Sequence, residues 1–307
     1  MISILMGTHN GEKYLQAQLD SLLNQTYNDF TLWISDDAST DKTWDILHAY
    51  ANLHPDKIKI TRKEKNTGNA KYNFLSMMTQ IKDDYVMLCD QDDVWLPQKI
   101  EKTLAKMQET EKQHPGTPIL VRTDMKVVDR DLKTINLSYR KAMCSNFNRT
   151  GFNQVLIQNS FAGCTAMYNR PLAEIINQEP DYCIMHDWWL ELVASAFGRI
   201  TQVDEPTILY RQHGENEIGA KDVRKLSYKV NRLINYKEIK KAIQITYTQA
   251  ESFLRCYEEQ LTEEKKDIAQ KYCAIPKMKK VSRWRTICSL RAFKNGLGRN
   301  IAYFLFV

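Results

Sequence analysis

The 307-residue chain lacks the features of several common protein classes. It has no run of about 18 apolar residues, which predicts that nothing spans a bilayer. The apolar segment 1–7 carries no basic residues ahead of it and runs directly into polar residues, which favours a buried strand over a signal peptide. The seven cysteines are odd in number, and none forms a CxxC pair or stands at metal-ligand spacing. We therefore expect free thiols in a reducing compartment, the cytoplasm.

Two common nucleotide-binding motifs are also missing. Neither GxGxxG nor GxxxxGK[ST] occurs, and the loops after the predicted strands are acidic where a dinucleotide-binding domain carries glycines. With 43% hydrophobic and 26% charged residues, the composition is that of an ordinary folded protein with a large core. Disordered, collagen-like and disulfide-rich classes are excluded.

The net charge of +6 conceals an asymmetry along the chain. Residues 1–220 hold 23 Lys and Arg against 29 Asp and Glu, whereas residues 221–307 hold 20 against 8, so the two parts carry −6 and +12. We predict an acidic domain over 1–220 and a basic helical C-terminal extension over 221–307. A basic extension suits an anionic partner such as nucleic acid or a phospholipid surface.

Short apolar runs alternate with helical patterns through the first half, which predicts an α/β fold with a mostly parallel sheet and flanking helices. Three predicted strands end in polar loops at 7–13, 36–41 and 90–93. These loops should share one crevice, because ligands of open α/β sheets bind beyond the carboxyl ends of the strands. The predicted strands are 2–6, 30–35, 57–61, 85–89, 118–123, 161–168 and 207–210, and the predicted helices include 70–81 and 186–197.

The loop Asp90-Gln91-Asp92-Asp93 is the most informative tetrapeptide. Three carboxylates at a strand end repel one another unless cations or hydrogen-bond donors neutralise them. Carboxylate oxygens suit Mg²⁺ or Mn²⁺, ions that substrate phosphates typically complete. The alternative is a solvated turn that caps the helix beginning near Pro97. The apolar residues on both sides of the loop favour the metal site.

Five segments within about the first 100 residues together resemble the family 2 inverting glycosyltransferases of the GT-A fold. In chain order they are residues 2–11, 22–27, 35–41, 66–69 and 90–95. The Asp-Gln-Asp-Asp-Val-Trp form of the last segment, with segments 186–189 and 210–216, most resembles bacterial rhamnosyltransferases of cell-surface polysaccharide synthesis. The resemblance implies a Rossmann-like, mostly parallel sheet with flanking helices in the catalytic domain 1–220, followed by the C-terminal helical extension.

The resemblance also implies roles in binding a nucleotide-sugar donor. Thr8 and Asp37 would contact the pyrimidine base, and Asp36 would help set the loop. Asp90 would hold the ribose or deoxyribose side, while Asp92 would ligate the metal that bridges the diphosphate. The other donor-pocket residues implied are Asn66, Gly68, Lys71 and Gln91.

Inverting transfer needs a base that takes the proton of the acceptor hydroxyl. Asp187 stands where the family carries its catalytic Asp or Glu, and the neighbouring Trp188 and Trp189 would stack on a sugar or desolvate the carboxylate. The alternative is a helix N-terminal Asp stabilised by the helix dipole beside two core tryptophans.

Arg211 and His213 follow the predicted strand 207–210. His213 is predicted to be a further metal ligand, with a donor phosphate as its alternative target. Arg211 would pair with phosphate oxygens through its planar guanidinium group. We expect the segment that continues to Gly219 to form a mobile lid.

The end of the chain mixes cations with bulky apolar residues. Segment 283–294 alternates the two types, and segment 301–307 is entirely apolar. This pattern predicts a peripheral association with the inner face of the cell membrane. The alternative is a set of helices that pack on the catalytic domain or on a second copy of the chain, as in a homodimer.

These features together predict a metal-dependent inverting glycosyltransferase with Mn²⁺ or Mg²⁺ as cofactor. Its predicted reaction moves L-rhamnose from dTDP-rhamnose to a saccharide or lipid-linked saccharide acceptor. A UDP-hexose donor is the alternative, because the motifs specify diphosphate and pyrimidine better than sugar stereochemistry. A nucleic-acid-binding protein is the alternative of another class, but no recognised nucleic-acid module accompanies the basic tail. We therefore expect no nucleic-acid partner.

Overall fold

The computed structural model describes residues 1–143, 146–213 and 236–307. The chain forms two compact units that alternate along the sequence. The first is made of 1–139, 162–179 and 198–220, and the second of 140–161, 180–197 and 221–307. The predicted domain boundary after residue 220 stays a prediction.

The first unit is built on a mixed sheet, which has nine strands in the described part of the chain, in the order β3-β2-β1-β4-β8-β6-β9-β5, with β7 paired to β6. Strand β1 runs parallel to both β2 and β4, and β2 runs parallel to β3. The pairs β4–β8, β5–β9, β6–β7 and β6–β8 are antiparallel, whereas β6 and β9 are parallel. The strands are β1 Ile2–Thr8, β2 Phe30–Asp36, β3 Ile58–Arg62, β4 Tyr85–Cys89, β5 Val94–Trp95, β6 Ile119–Val128, β7 Thr134–Asn136, β8 Met167–Asn169 and β9 Arg199–Arg211.

Helices flank this sheet, which confirms the predicted α/β class. The spacing of Leu15, Leu19 and Leu22 predicts one apolar helix face, and all three are fully buried. The helices of this unit are α1 Leu15–Leu23, α2 Thr43–Leu53, α3 Ala70–Gln80, α4 Lys99–Gln113 and α7 Arg170–Ile175.

Two predicted strands differ in the structure. The predicted strand 161–168 is wrong over most of its length, since Gly163–Thr165 forms a 3-10 turn before the three residues of β8. The hydroxyl of Thr165 donates to the carbonyl of Ala162 at 2.7 Å, which closes this turn. The predicted strand 207–210 is the end of the much longer β9, whose acidic middle obscures the alternating pattern.

The second unit is helical. Its core contains Trp189, whose ring centroid lies 5.7 Å from that of Phe253 and 6.0 Å from that of Tyr257. Among the described residues, no helix combines the length and the apolar composition needed to cross a membrane. The remaining helices are α5 Tyr139–Ala142, α6 Phe152–Val155, α8 His186–Phe197, α9 Tyr236–Tyr257, α10 Glu263–Ala274, α11 Lys280–Ser289 and α12 Leu297–Phe306.

Candidate functional site

The three polar loops of the first unit meet at the carboxyl ends of β1, β2 and β4, as the sequence predicts. The loops after β1 and β4 are joined by a reciprocal pair, because His9 N donates to Gln91 Oε1 at 2.9 Å and Gln91 Nε2 donates to His9 O at 2.9 Å. Gly11 leaves the space that the Gln91 side chain occupies, since a Cβ there would collide with it. Gln91 therefore fixes one loop against the other.

Asp36 organises the loop after β2. Its fully buried carboxylate accepts from the Thr8 hydroxyl at 3.0 Å and from the backbone N–H of Ser39 at 3.0 Å. Arg62 Nε lies 3.4 Å from Asp36 Oδ2. The carboxylate is thus engaged with the loops themselves.

Asp37 has a partner that sequence reasoning missed. The backbone N–H of Thr67 lies 3.0 and 3.1 Å from the two carboxylate oxygens, and the Thr67 hydroxyl donates to Oδ2 at 2.7 Å. The next residue, Ala38, has a φ of 56°, a conformation that costs free energy in a residue with a Cβ. These contacts bring segment 66–69 to the candidate site.

The segment 66–69 lies against the first loop. Asn66 Nδ2 is 3.0 Å from each ring nitrogen of His9, and Asn66 Oδ1 accepts from Gly68 N. Gly68 adopts a φ of 78°, which favours glycine at this turn. Lys71 lies in the first turn of α3, with its ammonium 4.9 Å from the centre of the Tyr72 ring.

Asp92 and His213 form a close pair. His213 Nε2 lies 2.8 Å from Asp92 Oδ2, although the two residues are far apart in the chain. The Tyr14 ring stacks on His213 with centroids 4.6 Å apart. The structure thus brings together the two residues predicted as metal ligands, and Tyr14 is a neighbour that its place at the start of a helix does not reveal.

Arg211 bonds to the acidic loop through both its side chain and its backbone. Its Nε donates to the carbonyl of Asp92 at 2.9 Å, and its Nη1 donates to the carbonyl of Arg130 at 2.6 Å. Its backbone N–H donates to Asp93 Oδ1 at 3.0 Å. The predicted pairing of this guanidinium with donor phosphate stays a prediction, whereas its contacts with the loop are present in the structure.

Asp90, Asp93 and Cys164 offer a second group of candidate ligand atoms, which lie within 4.8 Å of one another. Burial and the charges of Asp92 and Asp90 raise the pKa of Asp93 well above its usual value. Burial also raises the pKa of Cys164. The Cys164 thiol suits Mg²⁺ and Mn²⁺ poorly, since both ions prefer oxygen ligands.

A buried lysine that follows the acidic loop in the chain was not predicted. Lys99 is fully buried, and burial lowers its pKa to about 8. Its ammonium lies 4.5 Å from the centre of the Trp95 ring.

The second unit carries Asp187 and Trp188 at the start of α8. Asp187 is 7% exposed, and its Oδ1 accepts from the backbone N–H of Trp188 at 2.6 Å. The Trp188 indole donates to the carbonyl of Val155 at 2.7 Å. Trp189 is fully buried in the core, so the sugar-stacking option applies to Trp188 alone.

Two further residues of α8 are buried near Asp187 in the chain. Glu191 accepts from the backbone N–H of Ser160 at 3.0 Å and from the Ser160 hydroxyl, so it anchors the segment that precedes residue 162. Burial lowers the pKa of His186 to about 3, which keeps its imidazole neutral.

The predicted lid, residues 214–219, lies outside the described part of the chain.

Comparison with known families identifies the class of protein. The family model described as glycosyl transferase family 2 matches residues 3–176, which is more than half of the chain. The chain therefore belongs to glycosyl transferase family 2, as its motifs predict.

Individual relatives point in the same direction. The dTDP-rhamnosyl transferase RfbG of Shigella flexneri is 29% identical over 250 residues, which cover 78% of this chain and 82% of that protein. The O-antigen biosynthesis glycosyltransferase WbnJ of Escherichia coli is 28% identical over 226 residues, which cover 70% of this chain and 81% of that protein.

Solved structures share the fold. TarS 1–349 of S. aureus in complex with UDP-GlcNAc superposes with a TM-score of 0.59 at 16% identity, covering 94% of this chain and 72% of that one. A mannosyltransferase from Pyrobaculum calidifontis in complex with GDP-Man and Mn²⁺ gives a TM-score of 0.53 at 14% identity. The match covers 99% of this chain and 83% of that chain. The predicted GT-A fold is thereby confirmed.

Proposed function

We propose that this chain is a metal-dependent inverting glycosyltransferase that moves L-rhamnose from dTDP-rhamnose to a saccharide acceptor in bacterial surface polysaccharide synthesis. The observation that carries the proposal is the meeting of three polar loops at the ends of β1, β2 and β4. His9 and Gln91 join the first loop to the third, and Thr8 and Asp36 join the first to the second. The family supports the reaction type, and the rhamnosyl relative supports the choice of sugar.

The loops of the first unit would hold the nucleotide. Thr8, Asp36 and Asp37 form the edge assigned to the pyrimidine base, with Asp36 fixing Thr8 in place. The other donor-contacting residues proposed are Asn66, Gly68, Lys71, Asp90, Gln91 and Arg211. A deoxythymidine and a uridine nucleotide share the pyrimidine N–H and the diphosphate, so UDP-hexoses remain the alternative donors.

Asp92 and His213 would hold Mn²⁺ or Mg²⁺, and their donor set fits such an ion. One carboxylate and one imidazole, 2.8 Å apart, both have partly exposed side chains. When bound, such an ion would supply positive charge that neutralises the departing nucleoside diphosphate. Arg211 would keep Asp92 in place by its hold on the Asp92 carbonyl.

Asp187 would be the base. It would accept the proton of the acceptor hydroxyl while the hydroxyl oxygen bonds to C1 of the sugar and the bond from C1 to the diphosphate oxygen breaks. Trp188 would offer its partly exposed ring to a sugar face. The acceptor is proposed to be a saccharide carried on a lipid, which places the enzyme at the inner face of the cell membrane.

The experiment combines a donor panel with one substitution. Purified protein is incubated with Mn²⁺ and with dTDP-rhamnose or UDP-hexoses, and release of the nucleoside diphosphate is measured with and without a rhamnan or lipid-linked acceptor. Asp187→Asn should preserve donor binding and lower turnover by about 10² to 10⁴. Asp181→Asn is the matched control in the same unit, because its carboxylate is 73% exposed and pairs with Arg255.

The outcomes separate the alternatives. Preferential release from a UDP-hexose would replace rhamnose by that sugar, and an Asp187→Asn variant with most of its turnover would place the base elsewhere. No metal-dependent release from any donor, together with steeply salt-dependent binding to DNA, would replace the transferase by the nucleic-acid alternative.

A further inference from the structure

The end of the chain presents an apolar face. Leu297, Ile301 and Leu305 follow one another at a spacing of four on α12, which places them on one side of the helix. Their exposed fractions are 79%, 53% and 54%. Trp284 of α11 is 38% exposed. We call these four side chains the terminal patch.

The terminal patch is fixed by contacts between the two helices. The indole of Trp284 donates to the carbonyl of Phe304 at 2.9 Å, and the two rings lie 6.5 Å apart. The patch residues, with Phe293, Phe304 and Asn300, line an open groove of about 470 Å³. The apolar surface is therefore a shaped feature of the folded unit.

Other side chains of the same helices form the core of the unit. Ile287 is fully buried, and Tyr303 is 1% exposed. The two helices thus divide their apolar residues between an inner set and the outward terminal patch. Truncating the chain after Pro276 would remove the buried inner residues together with the patch. The test of the terminal patch therefore uses substitutions and not a truncation.

The segment that carries the terminal patch is strongly basic. Residues 277–307 contain eight Lys and Arg and no Asp or Glu. The Lys280 ammonium lies 3.4 Å from the carbonyl of Leu305 and 5.6 Å from the Trp284 ring. A second copy of this chain would bring the same positive charge against the patch, which opposes association, whereas an anionic surface would be attracted.

We propose that the terminal patch docks on an anionic lipid bilayer, with the four apolar side chains entering the boundary between headgroups and acyl chains and the cations facing lipid phosphates. This inference rests on the proposed function, in which the acceptor is a saccharide carried on a lipid. It identifies the protein surface that would bind the membrane that holds this acceptor. None of the four residues is part of the proposed catalytic or donor-binding set.

The test uses the full chain and vesicles of stated composition. Co-sedimentation is measured with phosphatidylcholine vesicles, with and without phosphatidylglycerol, at low and high salt. The patch variant combines Leu297→Gln, Ile301→Gln and Leu305→Gln, since glutamine keeps helix propensity while removing the apolar surface. The matched control makes the same change at exposed apolar residues of the first unit, which are Leu53, Ile135 and Leu137 at 74%, 60% and 69% exposed.

The wild-type chain and the control should bind the phosphatidylglycerol vesicles and release at high salt, because salt screens exposed charges. The patch variant should bind more weakly by at least about tenfold. A charge variant with Lys279→Glu and Arg285→Glu, both at exposed positions, should bind as weakly and guards against a folding defect in the first variant.

Equal binding by wild type and patch variant would overturn the inference, as would absence of binding to anionic vesicles. A wild-type dimer that the patch variant converts to a monomer would also overturn it, because the patch would then join two copies. Binding of dTDP or UDP with Mn²⁺ is measured on the same proteins and should be unchanged. Failure of nucleotide binding in the wild type would overturn the proposed transferase and leave the vesicle result standing.

Discussion

His186 predicts how the second unit responds to acid. Its imidazole is 5% exposed at the start of α8, and burial lowers its pKa from 6.5 to about 3. The folded chain therefore keeps this group neutral between pH 6.5 and pH 3, while the unfolded chain takes up a proton there. Because the unfolded state binds the additional proton, stability falls as the pH falls through 6.5.

The magnitude follows from the two pKa values. One unit of difference is worth about 1.4 kcal/mol, so lowering the pH from 7 to 5 should cost about 2 kcal/mol through His186 alone. The free energy of unfolding continues to fall towards pH 3. Below that pH the His186 contribution no longer changes, because this side chain is protonated in both the folded and the unfolded chain.

The assay compares urea unfolding at pH 7 and pH 5 for the wild type, His186→Gln and His48→Gln. Glutamine does not titrate in this range, so His186→Gln should lose about 2 kcal/mol less than the wild type over the interval. His48 is exposed on α2, and His48→Gln serves as the matched control substitution. The reasoning fails if the wild type and His186→Gln lose the same free energy of unfolding between the two pH values.

Three other substitutions test the site and its supports. Asp92→Ala should abolish Mn²⁺-dependent nucleotide binding, measured by calorimetry, and unchanged affinity would remove Asp92 from the metal site; Asp56→Ala, at an exposed position, is the control. Glu191→Ala should lower the free energy of unfolding by about 3 kcal/mol, because two donors of Ser160 lose their acceptor; an unchanged urea midpoint would contradict this role. Lys82→Met should cost about 2 to 4 kcal/mol, since the ammonium bonds three backbone carbonyl groups, and a loss below 0.5 kcal/mol would show that water replaces these bonds.

Local patterns predicted the order of the first elements and the loops that meet between them. Strand Tyr85–Cys89 and helix His186–Phe197 have the predicted bounds, because a continuous apolar run and a helical spacing are properties of neighbouring residues. The prediction of a strand over 161–168 was wrong because the conformation there does not follow from neighbouring residues alone. The small residues of this segment permit either a strand or a turn, and the contacts of Thr165 select the turn.

The same distinction, between what local sequence predicts and what tertiary contacts decide, applies to the candidate site. The sequence by itself determined which carboxylates follow β2 and β4 and that these loops share one edge, since parallel neighbouring strands place their ends together. Only the tertiary structure decided what each side chain does there. Asp37 is bonded to Thr67, 30 residues away, and Arg211 to the carbonyl of Asp92, 119 residues away. Such contacts depend on how distant segments pack, and burial, which raises the pKa of Asp93 and lowers that of His186, exists only once the chain has folded.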